Sequence, residues 1–427
     1  MKKLNTSPIS GMQELLPEKQ LVFDEIKRKI EEVYRKHGFL RIETPTIDRS
    51  EILFAKAGGD TEKQIYKVIK TNETAEDADQ ALRFDHTVPL ARYIAEHESD
   101  LSFPFRVAQA GKNFRGERAQ KGRFREFYQL DIDILGRESL PVAYDAEIIT
   151  TLYDALKTFL KPKMVIRLSN RKILSGLIAS QNLQEKAKDV FSIIDHSEKV
   201  APEKTQQSLN EINLIESQID LINKFMAIKG QKSEVIEKLN ALNIENEIFR
   251  EGVDELSEVL GTLESENVEA IGDMLIVRGL DYYTGTVFET FLPDYLKLGS
   301  VCSGGRYENL TAHYSDQKFP GVGGSIGLTR LFSILDENGL LEKNLKSSVD
   351  VALVPISENE HGYALKLAKA LREKGYATDV ILTDKKLGQK LTHAAKIAKS
   401  GIVIGEEEVK SGNLKIKDFE TGEEKPL

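Results

Sequence analysis

Two alternating segments between residues 103 and 135 predict a long antiparallel hairpin. The first reads FPFRVAQAGKNF, the second reads FREFYQLDIDIL, and a basic turn separates them. Side chains of a strand point alternately to its two faces, so the second segment is sorted by residue type. The apolar face carries Tyr128, Leu130, Ile132 and Ile134, and the polar face carries Phe127, Gln129, Asp131 and Asp133.

The polar face of this second segment favours a ligand site. Its aromatic ring offers a stacking surface, its amide offers a donor and an acceptor, and its carboxylates offer anions for a cationic group. The alternative is a half-buried strand whose polar face is only solvated.

The turn between the two segments is strongly basic, although the chain has a formal net charge of −9. Within eleven positions it contains the cations Arg115, Arg118, Lys121, Arg123 and Arg125. The flanking strands would hold these groups in place, and the planar guanidinium fork binds phosphate oxygens in pairs. We interpret the turn as a polyanion site, with a solvated hairpin tip as the alternative.

The whole sequence limits the class of protein. Its 427 residues are too many for one hydrophobic core, so we expect two or three domains. The single cysteine, Cys302, excludes a disulfide framework and suits a reducing compartment, and seven histidines without an HExxH pattern predict no structural metal. The sequence has neither a run of ~18 apolar residues nor a signal-like start, which predicts a cytoplasmic protein.

Composition divides the chain into three parts. Residues 181 to 265 are dominated by Lys, Glu, Asn, Ile and Leu, which predicts a helical domain inserted into a first part that spans 1 to 340. Strand-like and helix-like segments alternate from 349 to 427 and predict a small α/β domain.

Two further patterns contain candidate ligand groups. LRFDHTVPLARY places Asp85 and Thr87 on one face of an extended segment, where they could hold an amino group, unless they form a turn or a helix cap. VRGLDYYTGTVFE contains Arg278 and the adjacent Tyr282 and Tyr283. Since neighbours in a strand face opposite ways, we expect only one of these tyrosines in a pocket with Arg278, and core packing is the alternative.

The segment GVGGSIGLTRLF is rich in glycine but is not a dinucleotide motif. The GxGxxG pattern starting at Gly321 requires a glycine where Ile326 stands. The glycines would instead let the backbone approach a flat ligand, with Arg330 in reach of phosphate from the following helix. Tight packing of a strand on a helix is the alternative.

Taken in order, these segments resemble the class II aminoacyl-tRNA synthetases and, within them, the family of histidyl-tRNA synthetases. The three class signatures are similar to the helix and strand ending at Pro45, to FRGE…FREF, and to GVGGSIGLTRLF, where Thr329 replaces the usual acidic residue. RGLDYYTGTVFE and CSGGRYENL resemble the family's histidine-pocket signatures. The resemblance implies an α+β fold: an antiparallel-sheet catalytic core, a helical insertion at 181–265, and a C-terminal α/β anticodon-binding domain at 349–427.

The resemblance implies an ATP site made of five residues. Arg115 would grip the α-phosphate, Glu117 would face the adenine, and Phe127 would stack on it. Arg123 and Arg330 would hold the distal phosphates.

It also implies a histidine site. The substrate α-amino group would be held by Asp85, Thr87 and Gln129. Asp133 and Tyr283 match the pair that brackets the imidazole, and Tyr282 belongs to the same site.

The remaining matches concern catalysis and RNA. Arg278 matches an arginine that reaches both the α-phosphate and the substrate carboxylate, so Arg115 and Arg278 are the catalytic candidates. At the hairpin tip, Arg118 and Gln120 match positions that touch the extra 5′ nucleotide of histidine tRNA.

The implied activity is that of a histidine–tRNA ligase, a homodimer without a membrane partner that uses ATP, Mg²⁺, L-histidine and tRNA(His). One alternative is a non-catalytic paralogue that serves as the regulatory subunit of ATP phosphoribosyltransferase. A second alternative is an RNA-sensing or scaffold protein that uses its basic segments without chemistry.

Overall fold

The computed structural model describes residues 4–54, 62–72, 74, 78–120, 122–277, 282–308, 310–341 and 347–427. The chain divides into two compact units, one of residues 1–13 and 27–339, the other of residues 14–26 and 340–427. Helix Pro17–Lys36 begins at a proline, ends two residues before Gly38, and contributes residues to both units.

A nine-stranded sheet forms the centre of the first unit. In spatial order its strands are Leu40–Arg41, Phe105–Phe114, Glu126–Leu135, Gly321–Gly327, Cys302–Tyr307, Tyr283–Phe291, Val165–Asn170, Ala270–Asp273 and Lys229–Gly230. Leu40–Arg41 and Ala270–Asp273 each make one parallel pairing, and the other six pairings are antiparallel. The predicted antiparallel core is therefore confirmed. A small second sheet contains Ile47–Arg49, Gln80–Leu82 and Lys67–Val68.

The predicted hairpin lies near one edge of the large sheet. Phe105–Phe114 is its first arm and Glu126–Leu135 its second arm, paired from Phe105 opposite Leu135 to Phe114 opposite Glu126. Its apolar face is buried completely at Leu130, Ile132 and Ile134. The other edge of the second arm pairs with Gly321–Gly327, the glycine strand. The polar face of the second arm is thus fixed between two neighbouring strands.

Helices pack around this sheet. Those of the first unit outside 181–265 are Ser50–Phe54, Thr87–His97, Ala143–Lys157, Arg171–Ser180 and Leu328–Glu337. Helix Thr87–His97 buries Leu90, Ala91 and Ile94 in a cluster with Phe105 and Val107 of the first arm. This packing brings the start of that helix to the polar side of the hairpin.

Residues 181 to 265 are helical and belong to the same compact unit as the sheet. Their helices are Ala187–Ser197, Pro202–Glu211, Glu216–Met226, Lys232–Ala241 and Glu247–Ser265. Asparagine, which tolerates the left-handed conformation, follows several helix ends here, with φ between 51° and 57° at Asn182, Asn213, Asn243 and Asn267.

The second unit contains a five-stranded sheet. Its strands in spatial order are Thr378–Val380, Val349–Pro355, Ala398–Ile404, Lys415–Asp418 and Glu424–Pro426, the first three parallel and the last two antiparallel. Helices His361–Glu373, Leu387–Ile397 and Glu406–Ser411 accompany it. This confirms the predicted C-terminal α/β fold.

Within the described ranges, no helix is both long and apolar enough to cross a membrane.

Candidate active site

A cavity of about 470 Å³ opens above the polar face of the second arm. Most of the residues predicted for ligand binding line it: Asp85, Thr87, Arg115, Glu117, Arg123, Phe127, Gln129, Asp133, Tyr282, Tyr283 and Arg330. They come from four motifs that are separate in the sequence, and the fold brings these motifs together around one cavity.

Three predicted residues are not part of this lining. Arg278 lies outside the residues that the structure describes. Arg118 and Gln120 are exposed at the hairpin tip and lie outside the cavity. Their position is compatible with a contact to a large partner and not with one to a ligand in the cavity.

The alternation of the second arm works as predicted. Phe127, Gln129, Asp131 and Asp133 all line the cavity. The Gln129 side chain is held at both ends, because Asn113 Nδ2 donates to its Oε1 at 2.8 Å and its Nε2 donates to Ser325 Oγ at 2.6 Å. The amide therefore has a fixed orientation.

Asp133 is a buried carboxylate that accepts a hydrogen bond from another strand of the same sheet. The Tyr307 hydroxyl donates to Asp133 Oδ1 at 2.9 Å. Burial raises the pKa of Asp133 to about 8, with smaller contributions from Asp131 and Asp85, while the hydrogen bond from Tyr307 opposes the rise. Across the sheet, a Cβ on Gly323 would lie 2.0 Å from Asp133 Oδ1, so the carboxylate depends on a glycine there.

Both adjacent tyrosines line the cavity, so the expectation that these two side chains face opposite ways was wrong. Tyr282 precedes the strand that begins at Tyr283, and the pairing of that strand is irregular between Tyr283 and Val287. Strict alternation therefore does not apply to this pair. Their rings meet edge to face with 4.9 Å between the ring centres. The ring of Tyr282 also meets that of Tyr307 edge to face, with 6.1 Å between the centres.

Asp85 is both a helix cap and a cavity residue. Its Oδ1 accepts a hydrogen bond from the backbone N–H of Val88 at 3.0 Å, so the cap interpretation of this motif also applies. Burial raises the pKa of Asp85, and the Val88 N–H and nearby Arg115 oppose this. Thr87, at the start of the helix, lines the cavity together with Tyr282.

Arg115 lies against two aromatic rings. Its guanidinium carbon is 4.3 Å from the centre of the Phe84 ring and 4.9 Å from that of Phe127. Burial lowers the pKa of Arg115, and the negative charges of Asp85 and Glu117 act against that effect. Because arginine keeps its charge in proteins, a cation is held inside the cavity.

The basic turn divides into groups with different surroundings. Arg123 Nη1 lies 3.4 Å from Glu117 Oε2 at the cavity wall. Arg125 is structural, since its Nε donates to the carbonyl of Glu117 at 3.0 Å and its N–H to the carbonyl of Gly11 at 2.7 Å. Lys121 lies outside the described residues. The predicted cluster therefore contributes only some of its cations to the cavity.

Thr329 joins the glycine-rich segment to the hairpin. Its Oγ1 accepts a hydrogen bond from the Tyr128 N–H at 2.7 Å. The hydroxyl thus fixes the start of helix Leu328–Glu337, and with it Arg330, relative to the second arm.

Sequence reasoning missed several cavity residues. Tyr307 and Ser325 lie within motifs that were recognised, and their position beside Asp133 and Gln129 depends on strand register. Asp131 lies on the predicted polar face but is not among the predicted site residues. Its partner, His86, stands between Asp85 and Thr87 in the sequence, and no motif marks it as a site residue.

The strand directions distinguish this cavity from the nucleotide sites of parallel doubly wound folds, which lie at the carboxyl ends of parallel strands. The fold and the cavity are those of a class II aminoacyl-tRNA synthetase.

Comparisons identify the member of this class. Residues 11–331 match the family model of histidyl-tRNA synthetase, and residues 350–427 match that of the anticodon binding domain. The histidine–tRNA ligase of Clostridium tetani is 47% identical over 100% of this chain and 97% of the relative, and that of Finegoldia magna is 43% identical over 99% and 97%. A crystal structure of histidyl-tRNA synthetase from Nostoc sp. PCC 7120 has a TM-score of 0.88 at 36% identity and covers 100% of this chain and 97% of that one. The chain belongs to the histidyl-tRNA synthetase family.

Proposed function

We propose that this chain activates L-histidine with ATP and transfers it to the 3′ end of tRNA(His). The observation that carries the proposal is the cavity itself, in which a buried carboxylate with tyrosines and a half-buried arginine between aromatic rings occur together. The names of the relatives and the match to both family models support the same function.

The amino-acid end of the site would consist of Asp133 and its neighbours. An imidazole presents N–H and N groups in one plane, and Asp133 with Tyr283 supplies partners for them at one wall of the cavity. Asp85, Thr87 and Gln129 would receive the α-ammonium group. A site built from polar partners rejects analogues that leave them unpaired by ~10⁴-fold or more, which would give the enzyme its selectivity for histidine.

The ATP end would begin at Arg115. Its guanidinium would bind the α-phosphate. The adenine would stack on Phe127 and face Glu117. Arg123 and Arg330 would hold the β- and γ-phosphates. Arg278 is retained as the second catalytic candidate on the resemblance of its motif alone.

Catalysis would require no protein nucleophile. The substrate carboxylate attacks the α-phosphorus and pyrophosphate leaves, which gives histidyl-adenylate. The terminal ribose hydroxyl of the tRNA then attacks the carbonyl carbon of the adenylate, takes the histidyl group and releases AMP. The protein would accelerate these steps by positioning the reactants and by placing Arg115 where negative charge develops on the phosphoryl oxygens.

Mg²⁺ would enter with ATP. No group of three His, Cys, Asp or Glu side chains within the described residues could form a metal cage by itself. This fits an ion that binds mainly to phosphates with one or two carboxylates. Glu289, a half-buried carboxylate of the lining, would hold it, and the ion would offset charge on the triphosphate.

The tRNA would contact two separate parts of the chain. Arg118 and Gln120 at the hairpin tip would touch the 5′ end of tRNA(His), and the domain at 349–427 would bind the anticodon. We also propose that the enzyme is a cytoplasmic homodimer whose chain is organised as a catalytic domain, 1–340, interrupted by a helical insertion domain, 181–265.

Exchange of pyrophosphate into ATP, measured with each of the twenty amino acids, tests this function. We expect exchange with histidine alone, and histidylation of tRNA(His) when the tRNA is added. Absence of histidine-dependent exchange would instead favour the regulatory subunit or the RNA-binding scaffold.

A further inference from the structure

A buried histidine and a buried aspartate form a pair behind the amino-acid end of the cavity. His86 Nδ1 lies 2.8 Å from Asp131 Oδ2, and the two side chains are only 1% and 8% exposed. A carboxylate can only accept, so the proton of this hydrogen bond belongs to Nδ1. Asp131 also lines the cavity, whereas His86 does not, so the pair connects the cavity wall to the structure behind it.

His86 is itself firmly held. Its carbonyl accepts hydrogen bonds from the Leu90 N–H at 3.0 Å and from Gln109 Nε2 at 3.2 Å. Gln109 Oε1 in turn accepts from the hydroxyl of Thr44 at 3.1 Å. On the far side of the ring, a Cβ on Gly111 would lie 3.2 Å from His86 Nε2, so a glycine leaves room for the imidazole. These contacts fix the backbone of His86, and the hydrogen bond between Nδ1 and Asp131 orients its ring.

The second oxygen of Asp131 has no such partner. Asp131 Oδ1 is buried and receives no hydrogen bond from any group within the described part of the chain. A buried carboxylate oxygen without a donor is costly, because it has lost water and gained nothing in return. Since this residue lines the cavity, a ligand N–H is the donor that would satisfy it.

The position of Asp131 favours the substrate α-ammonium as that donor. On the second arm Asp131 stands between Gln129 and Asp133 and faces the same way as both. Its partner His86 lies between Asp85 and Thr87, the two residues assigned to the α-amino group. An ammonium group is a cation that donates hydrogen bonds, so the carboxylate of Asp131, close to that of Asp85, suits its charge.

We propose that His86 is a positioning residue whose Nδ1–H fixes Asp131 so that Asp131 Oδ1 binds the α-ammonium of the amino-acid substrate. This inference rests on the assignment of the cavity to histidine. It adds Asp131 to the residues that contact the substrate and His86 to those that act through another side chain.

Steady-state pyrophosphate exchange with three variants tests the proposal. His86→Leu removes the donor, Asp131→Asn removes the charge, and His86→Asn restores an N–H near the position of Nδ1. We expect the first two to raise KM for histidine roughly 10- to 100-fold, the range for loss of a hydrogen bond to a charged group, while KM for ATP changes less than about threefold. His86→Asn should recover most of the loss, which a merely structural role would not predict.

A second histidine–aspartate pair provides the control. His37 Nε2 lies 3.5 Å from Asp154 Oδ2, and neither residue lines the cavity. His37→Leu should leave KM for histidine within about twofold of the wild-type value. Competition by 3-(imidazol-4-yl)propionate, which lacks the α-ammonium, should be unchanged in His86→Leu and Asp131→Asn.

Three results would overturn the inference. The first is an unchanged KM for histidine in Asp131→Asn, which decides the matter even if His86→Leu does not fold. The second is an equal rise in KM for histidine and ATP without recovery in His86→Asn. The third is an equal loss of affinity for histidine and for the propionate, which would assign Asp131 to the imidazole. Failure of the proposed function is distinguishable from failure of this inference. A wild-type protein without histidine-dependent exchange would refute the proposed function, and this is measured before any variant is made.

Discussion

The Tyr307 hydroxyl lies 2.9 Å from Asp133 Oδ1, and this contact joins two sequence motifs that are 174 residues apart. It partly satisfies a carboxylate that is only 5% exposed. Tyr307 also touches the ring of Tyr282, so one side chain supports both the acidic and the aromatic wall of the proposed histidine pocket.

Replacing Asp133 should remove the proposed imidazole partner. We expect Asp133→Ala to abolish histidine-dependent pyrophosphate exchange, because the substrate N–H would be left unpaired in a buried site. Asp154→Ala, a carboxylate outside the cavity, is the control and should retain exchange. Near-normal exchange by Asp133→Ala would remove this residue from the site.

Replacing Tyr307 should shift the pH dependence of histidine activation. Burial raises the pKa of Asp133 to about 8 and the Tyr307 hydrogen bond favours the ionised form, so Tyr307→Phe should raise that pKa further. If the ionised carboxylate binds the substrate, kcat/KM for histidine rises with pH through the pKa of the free enzyme. The rising limb should therefore move to higher pH in Tyr307→Phe, with the greatest loss below pH 8. If the rising limb of this pH profile has the same midpoint in Tyr307→Phe as in the wild type, Asp133 does not control it.

The glycine strand offers a substitution that can be compared with a glycine elsewhere. A Cβ on Gly323 would lie 2.0 Å from Asp133 Oδ1, whereas a Cβ on Gly388, which does not line the cavity, would have no described atom within 4 Å apart from its own chain neighbours and helix backbone. Gly323→Ala should displace Asp133 and lower kcat/KM for histidine by about tenfold or more, since small misplacements in a site are costly. Gly388→Ala should have little effect. Similar activities of the two variants in the exchange assay would contradict this account of the glycine strand.

The hairpin tip should affect only the second step of the reaction. Gln120 is exposed and lies outside the cavity, so Gln120→Ala should slow charging of tRNA(His) while adenylate formation remains normal. Parallel measurement of pyrophosphate exchange and of aminoacylation separates the two steps. Equal losses in both assays would count against an RNA contact at this position.

Periodicity was sufficient to predict the second arm. Alternation in a long paired strand is enforced by the pleat, so Phe127, Gln129 and Asp133 could be assigned to one face from sequence alone. The same rule failed for Tyr282 and Tyr283 because the first of them precedes the strand. Local patterns predict side-chain direction only where regular backbone continues.

The pairing of His86 with Asp131 could not have been predicted. It depends on how closely the start of helix Thr87–His97 approaches the second arm, across 45 residues of sequence. Hydrophobic packing of that helix on the first arm sets this approach, and no motif encodes it. In the same way, the basic turn predicted a cluster of cations but not that Arg125 would bind backbone carbonyls.

The most direct test of the central claim is a crystal structure of the protein with histidine and a non-hydrolysable ATP analogue. We predict the imidazole within hydrogen-bonding distance of Asp133, at ~2.6–3.2 Å, the adenine stacked on Phe127, and the α-phosphate at Arg115. Ligands bound at another place, or a histidine whose imidazole points away from Asp133, would contradict it.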